Sequence, residues 1–199
     1  MEKIYPVRFI SNHSTGKMGY AIAKNCMLRG ANVTLVTGKT SIEPPKFVKV
    51  INITSAEEMF RAVTEEFEEQ DIVIKAAAVA DYRPKNVSDQ KIKKSDDDMV
   101  IELERTTDIL AGLGKNKPDG QILCGFSMET ENMIENSRAK LEKKNLDVIA
   151  ANSLKQEGAG FGVDTNILTL ITKNEEIQLP LMSKEDAAER LLDFILNLK

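Results

Sequence analysis

Lysine and aspartate bracket the run Lys75-Ala76-Ala77-Ala78-Val79-Ala80-Asp81, which follows directly on the apolar triplet Ile72-Val73-Ile74. Read as a strand running out into small side chains, this segment lets a ligand approach the backbone and then presents one carboxylate to it. That end of a strand is where open α/β sheets bind ligands. The alanines also admit a plainer reading, in which they let a helix pack closely against a sheet. A second polar loop, Ser11-Asn12-His13-Ser14-Thr15-Gly16-Lys17, stands before the first helix and tips the balance toward a ligand site.

The pair Gly16-Lys17 invites comparison with a phosphate-binding P-loop. Ser11 stands where the leading glycine belongs, however, and Met18 follows the lysine in place of Ser or Thr. The loop still offers helix N-terminal N–H groups together with Asn12, Ser14 and Thr15, a set suited to a phosphate or carbonyl oxygen. Alternatively, Ser14 or Thr15 simply caps the helix. Arg8 lies in the apolar segment Val7-Arg8-Phe9-Ile10, either as an edge residue with its head in water or as a fork aimed at a carboxylate or phosphate, across a subunit boundary. Lys91-Ile92-Lys93-Lys94 reads as a solvated face or as a lid closing on a polyphosphate. Lys140 and Lys144 stand four apart on a helix and are placed either to share one anion or to pair with neighbouring glutamates such as Glu142.

The totals exclude several classes. The net charge of −4 argues against a nucleic-acid footprint. No apolar run approaches the ~20 residues that span a bilayer, and no signal-like segment opens the chain, so a cytoplasmic protein without membrane attachment is expected. His13 is the single histidine, which rules out a multi-histidine metal site, and no Gly-x-Ser-x-Gly accompanies it. Cys26 and Cys124 sit apart in apolar surroundings and read as core residues.

Strand and helix patterns alternate around these motifs. Helices are expected at 16–29, 55–69, 108–113, 132–144 and 183–198, two of them opened by the capping patterns Ser55-x-x-Glu58 and Ser183-x-x-Asp186. Strands are expected at 32–37, 47–53, 71–76, 100–103, 122–126 and 146–150, with a hairpin formed by 167–172 and 177–181. Residues 84–98 are charged and read as a solvated loop, and 157–162 is glycine-rich. The alternation implies one α/β domain over 1–199, a mainly parallel sheet with helices on both faces.

With these segments laid out, a resemblance becomes specific. Val7-Arg8-Phe9-Ile10-Ser11-Asn12-His13-Ser14-Thr15-Gly16-Lys17-Met18-Gly19, Ala77-Ala78-Val79-Ala80-Asp81-Tyr82-Arg83 and Lys91-Ile92-Lys93-Lys94 occur in order. They are continued by Gly125-Phe126, Glu129-Thr130, Lys143-Lys144-Asn145-Leu146-Asp147 and Ala150-Ala151-Asn152. The set resembles the bacterial phosphopantothenoylcysteine synthetase family, the ligase domain of a bifunctional coenzyme A biosynthesis flavoprotein. The resemblance implies a Rossmann-like homodimer that joins 4'-phosphopantothenate to L-cysteine with CTP and Mg²⁺ or another divalent cation, through an acyl-cytidylate. It also implies fusion to, or association with, a flavin-dependent decarboxylase.

Carried over by motif position, the resemblance assigns Asn12 and Lys91 to the chemistry, Asn12 holding the acyl carbonyl and Lys91 sitting on a lid. Arg8 (from the other subunit), Asn12, Ala77, Ala78 and Asp81 would line the substrate site. Lys75, Ala76, Ala77, Asp81, Lys91, Thr107, Asp108, Ile109, Leu110, Phe126, Lys140 and Lys144 would surround the nucleotide. The chain departs from the pattern at Thr106-Thr107, where the family has Asn-Pro, and at Lys75, where a small residue is usual. The family's opening strand also has no counterpart ahead of Pro6-Val7-Arg8, so either the chain is truncated or something else completes the sheet, and a noncatalytic partner subunit is one alternative function. A dinucleotide-dependent reductase or binding module is the other, although no Gly-x-Gly-x-x-Gly follows a strand.

Overall fold

The computed structural model describes residues 1–93, 98–129, 131–153 and 160–198. An antiparallel hairpin of β1 (Glu2–Tyr5) and β2 (Arg8–Ile10) leads into α1 (Lys17–Leu28) and the parallel pair β3 (Thr34–Thr37) and β4 (Lys49–Asn52). After α2 (Ala56–Phe67) come β5 (Ile72–Lys75), the antiparallel pair β6 (Tyr82–Pro84) and β7 (Leu103–Arg105), and α3 (Ile109–Lys115). The chain continues through β8 (Ile122–Glu129), α4 (Met133–Lys143), β9 (Val148–Ser153), β10 (Thr165–Asn166), β11 (Thr169–Ile171), β12 (Glu176–Gln178), β13 (Met182–Ser183) and α5 (Lys184–Leu196).

The main sheet has five strands in the order β12-β11-β9-β8-β5. β5, β8 and β9 are parallel, and β11 runs antiparallel to both β9 and β12. Alternation along β8 and β9 explains the layers. Ile122, Cys124, Val148 and Ala150 face one core with Ala21, Ile22, Ala187, Leu191 and Ile195 from α1 and α5. Leu123, Ile149 and Ala151 face the other, with Met59, Phe67, Leu110, Leu113 and Leu141 from α2, α3 and α4. Strands apolar on both faces demand cover on both, and each buried Leu or Ile contributes about 1.5–3 kcal/mol. The expected Rossmann-like, mainly parallel architecture is therefore present.

The sheet is split where a strand was expected to be missing. β3 pairs with β4 and β5 pairs with β8, but among the described residues no ladder joins β3 to β5. Their facing edges border a cavity of about 320 Å³, lined by Leu35 and Val36 on one side and by Ile72, Val73 and Ile74 on the other. Tyr20 and Ile22 of α1 and Met59 and Val63 of α2 also line it. The order β4-β3, gap, β5-β8-β9 is the doubly wound order with its first position open. Half the amides and carbonyls of each facing edge point into the gap.

Several boundaries differ from expectation for local reasons. Phe47 adopts φ 61 and is 92% exposed, so β4 begins at Lys49. The strand expected at 100–103 forms instead as β7, because its place is set by pairing with Tyr82–Pro84, a segment expected to be loop at its end. Arg83 secures that pair to α2, donating to Glu57 at 2.7 Å and to Glu104 at 2.9 Å. Both capping patterns are present: Ser55 accepts from Glu58 N at 3.2 Å, and Ser183 accepts from Asp186 N at 3.0 Å. Glu58 also reaches back past the N-cap, accepting from Thr54 N at 2.8 Å. Cys124 is buried and Cys26 half-buried, as core residues should be.

Candidate active site

The two polar loops meet at the C-terminal ends of the parallel strands. Asn12 Nδ2 donates to Ala78 O at 2.6 Å, while Asn12 Oδ1 accepts from Ser14 N at 2.8 Å. One amide side chain thus pins the loop before α1 onto the loop after β5. Asp81 stands three residues beyond the bridge, and its backbone oxygen accepts from Thr106 N at 3.0 Å. The alanines serve both readings at once: Ala76 packs against one core and Ala77 against the other, while Ala76, Ala77 and Ala78 line the cavities at the strand ends.

Helix α1 begins differently from expectation. Its N-cap is Gly16 at φ 81, with no side-chain capping bond. The backbone N–H of Ser14 is engaged by Asn12, the backbone oxygen of Thr15 accepts from Thr40 Oγ1 at 2.9 Å, and neither hydroxyl caps the helix. The positive end of the α1 dipole is left to the cavity beside Ala76, Ala77 and Ala78.

A charged cluster forms on the other side of β5. Lys75 ends the strand half-buried, its ammonium donating to Ala77 O at 3.3 Å. Burial pushes that ammonium below its usual range and Lys144 adds to the push, whereas Asp108 and Asp81 oppose it. Asp108 caps α3 by accepting from Ala111 N at 3.1 Å and also holds Lys144 at 2.9 Å. Burial draws the Asp108 carboxyl upward, but the Lys144 and Ala111 bonds and the nearby cations outweigh it and leave it below the ordinary value. Lys144 owes its place to Gly114: a Cβ there would stand 1.8 Å from the Lys144 carbonyl oxygen, and Asn145 Nδ2 donates to Gly114 O at 2.9 Å.

Other expected residues are distributed less simply. Lys140 and Lys144 do not share one anion, nor does either bond Glu142. Lys140 pairs with Glu129 at the end of β8 and Lys144 with Asp108 at the start of α3. Thr107 is exposed, while Ile109 and Leu110 are core side chains at 3% and 5% exposure, offering a ligand only their backbone. Phe126 is half-buried on β8 and lines the cavity beside α1. Arg8 is exposed on β2, its Nε donating to Tyr5 Oη at 2.6 Å, and no described contact joins it to Asn12 or Asp81 of the same chain. Lys91 is exposed, with no described contact to the cluster; Lys94 and Thr130 lie outside the described residues.

In the second half of the site the sequence pointed to Phe126 and quoted Asn152 in a motif, but it did not point to Asn166 or Lys184. A cavity of about 120 Å³ opens beside the α1 N-terminus, walled by Phe126, Asn152, Asn166 and Lys184. Asn152 Nδ2 donates to Asn166 Oδ1 at 3.3 Å, and both residues are buried. Buried amides in apolar strands are the one signal that marked them, and Lys184 had none, because it is one charge among several at a helix start.

A split Rossmann-like α/β domain with cationic and amide groups gathered at its strand ends defines a small-molecule site class. The chain matches the DNA/pantothenate metabolism flavoprotein C-terminal domain over residues 1–198 and belongs to that family. It is 49% identical over 196 residues to the coenzyme A biosynthesis bifunctional protein CoaBC of Bacillus subtilis (strain 168), covering 98% of this chain and 48% of that protein. It is 48% identical over 200 residues to a cysteine/cysteine sulfinic acid decarboxylase from an unknown prokaryotic organism, covering 100% of this chain and 56% of that one. The chain thus spans about half the length of these curated relatives. The crystal structure of the C-terminal domain of a CoaBC protein superposes with a TM-score of 0.82 at 46% identity, over 98% of this chain and 88% of that one.

Proposed function

We propose that residues 1–199 form one phosphopantothenate–cysteine ligase domain, joining 4'-phosphopantothenate and L-cysteine with CTP in coenzyme A biosynthesis. The observation that carries this reading is the Asn12–Ala78 bridge, which joins two loops beside a cluster of Lys75, Asp108 and Lys144. In the first step the substrate carboxylate attacks the α-phosphorus of CTP, forming an acyl-cytidylate and releasing pyrophosphate. In the second, the cysteine amine attacks the acyl carbonyl and CMP leaves, its proton passing to water. Asn12 would hold the acyl carbonyl, with Ala77, Ala78 and Asp81 along the chain of the substrate. The phosphoryl end would lie toward the uncapped start of α1.

Lys75 and Lys144 suit a triphosphate for a physical reason. A desolvated ammonium gains more from an anion than a hydrated one does, since the attraction grows as the local dielectric falls. Ala76, Thr107, Asp108, Ile109, Leu110, Phe126 and Lys140 would complete the nucleotide's surroundings, and Lys91 would close over it. Among the described residues no trio of His, Cys, Asp or Glu is placed to hold a metal. A Mg²⁺ ion would accordingly be held chiefly by the triphosphate, with Asp81 as an available carboxylate, and would offset developing phosphate charge.

A homodimer fits the exposed apolar side chains flanking Arg8, Val7 at 64% and Phe9 at 54%. Docking that hairpin against a second copy would bury them and deliver Arg8 in trans. Association with a flavin-dependent decarboxylase follows from the bifunctional relatives, and a cytoplasmic setting from the need for CTP. Pyrophosphate release on mixing 4'-phosphopantothenate, cysteine, CTP and Mg²⁺ tests the reading; no release from a folded chain carrying a complete sheet sinks it. Asn12→Asp should leave CTP binding intact while blocking turnover, and Lys91→Gln should slow turnover without shifting thermal stability. The gap between β3 and β5 favours a second reading, an inactive subunit that binds CTP yet forms no acyl-cytidylate. A single-turnover assay for the acyl-cytidylate separates the two.

A further inference from the structure

Lys184 opens α5, yet its side chain turns inward and the residue is 5% exposed. Its ammonium donates to Gly160 O at 3.1 Å and to Val163 O, while its own N–H donates to Asp164 O at 2.9 Å. Lys17, which opens α1, donates to Gly162 O at 2.9 Å and to Asp164 Oδ1 at 2.6 Å. Two helix starts from distant parts of the chain therefore stitch down one turn, residues 160–164. Gly160 and Phe161 of that turn join Lys184 and Lys17 in lining the cavity beside the α1 N-terminus.

We propose that Lys184 is a positioning and specificity-determining residue for the phosphoryl end of the substrate, an inference that rests on the ligase reading above. An ammonium carries three donors, and the two carbonyls occupy two of them, fixing the head while leaving the third for the cavity. Lys17 has a carboxylate partner in Asp164, but Lys184 forms no ion pair among the described residues. Among the described residues its ammonium is held directly by carbonyl dipoles, with no carboxylate in contact. Burial pushes its ammonium down and the charge of Lys17 adds to this, with Asp164 opposing. A cation in that state gains strongly from a phosphoryl dianion and little from the neutral hydroxyl of the unphosphorylated compound.

Calorimetric titration of the unsubstituted protein, Lys184→Met and Lys184→Arg with 4'-phosphopantothenate, pantothenate and CTP tests this. The unsubstituted protein should prefer the phosphorylated compound. Lys184→Met should lose at least about tenfold of that preference, with pantothenate and CTP affinities unchanged, as expected for a lost charge-assisted bond. Lys184→Arg should recover part of the preference. Equal weakening of both pantothenate compounds, the signature of a merely structural lysine, overturns the proposal, and so does an unaltered preference. If Lys184→Met fails to fold, Lys184→Gln keeps a donor for the carbonyls and reads the same loss. Binding of CTP with no preference in the unsubstituted protein sinks this inference while leaving the ligase reading standing. Failure to bind any of the three compounds sinks the ligase reading and this inference with it.

Discussion

β5 and β8 both open on apolar triplets, Ile72-Val73-Ile74 and Ile122-Leu123-Cys124, and lie side by side in one sheet. Leu123 and Cys124 are completely buried, whereas all three residues of the β5 triplet are only half-buried. The difference lies in neighbours. β8 has a ladder on each edge, while β5 has β8 on one side and the gap on the other. A strand's burial is thus a property of its place in the sheet, and the ligand end of this molecule is built on its less consolidated half.

That contrast can be broken most severely at Gly114. Gly114→Ala must displace the Lys144 backbone, so both stability and CTP affinity should collapse together, read by thermal unfolding and titration. Next in size, Ile122→Ala in the packed half should cost about 2–5 kcal/mol, and Ile72→Ala beside the gap about half as much, measured by urea unfolding. Equal costs would remove the distinction between the halves. Hydrogen exchange sharpens it further: the amides of β8 and β9 should exchange on the order of a hundredfold more slowly than those of β3 and β5 that face the gap. Ser55→Ala removes a cap on the helix flanking the gap and should cost about 1 kcal/mol.

The smallest effect is expected with pH. Burial raises the Glu129 carboxyl, but bonds from Lys140 and Ser127 outweigh this and hold it below its ordinary 4.5. A carboxyl depressed in the folded state contributes stability that is complete above its unfolded value and is lost as pH falls through the folded one. Unfolding free energies followed downward from pH 6 should therefore drop less steeply in Lys140→Gln than in the unsubstituted protein, by less than about 1 kcal/mol.

Elements with strong local causes were legible in advance. Ser55 and Ser183 announced their helices, and the short, mostly apolar segments 122–126 and 146–150 were expected as strands. β6 was not, and β7 was expected a few residues early, since Tyr82–Pro84 and Leu103–Arg105 take their strand bounds only by pairing with each other across a long insertion. At the site, Asn12, Lys75 and the alanine run were visible as loop and strand-end chemistry. The partners of Lys140 and Lys144 were not, because helix spacing shows which side chains share a face and says nothing of which carboxylate another element brings there.

The linear chain by itself determined the alternation of elements and the two polar loops, since these depend on neighbours within a turn or two. Only the tertiary structure decided that a cavity separates β3 from β5, that Asn12 reaches Ala78, and that Lys184 turns inward to hold a loop from the preceding crossover. Each of those depends on residues brought together by packing, whose energy is shared among elements and written in none of them alone.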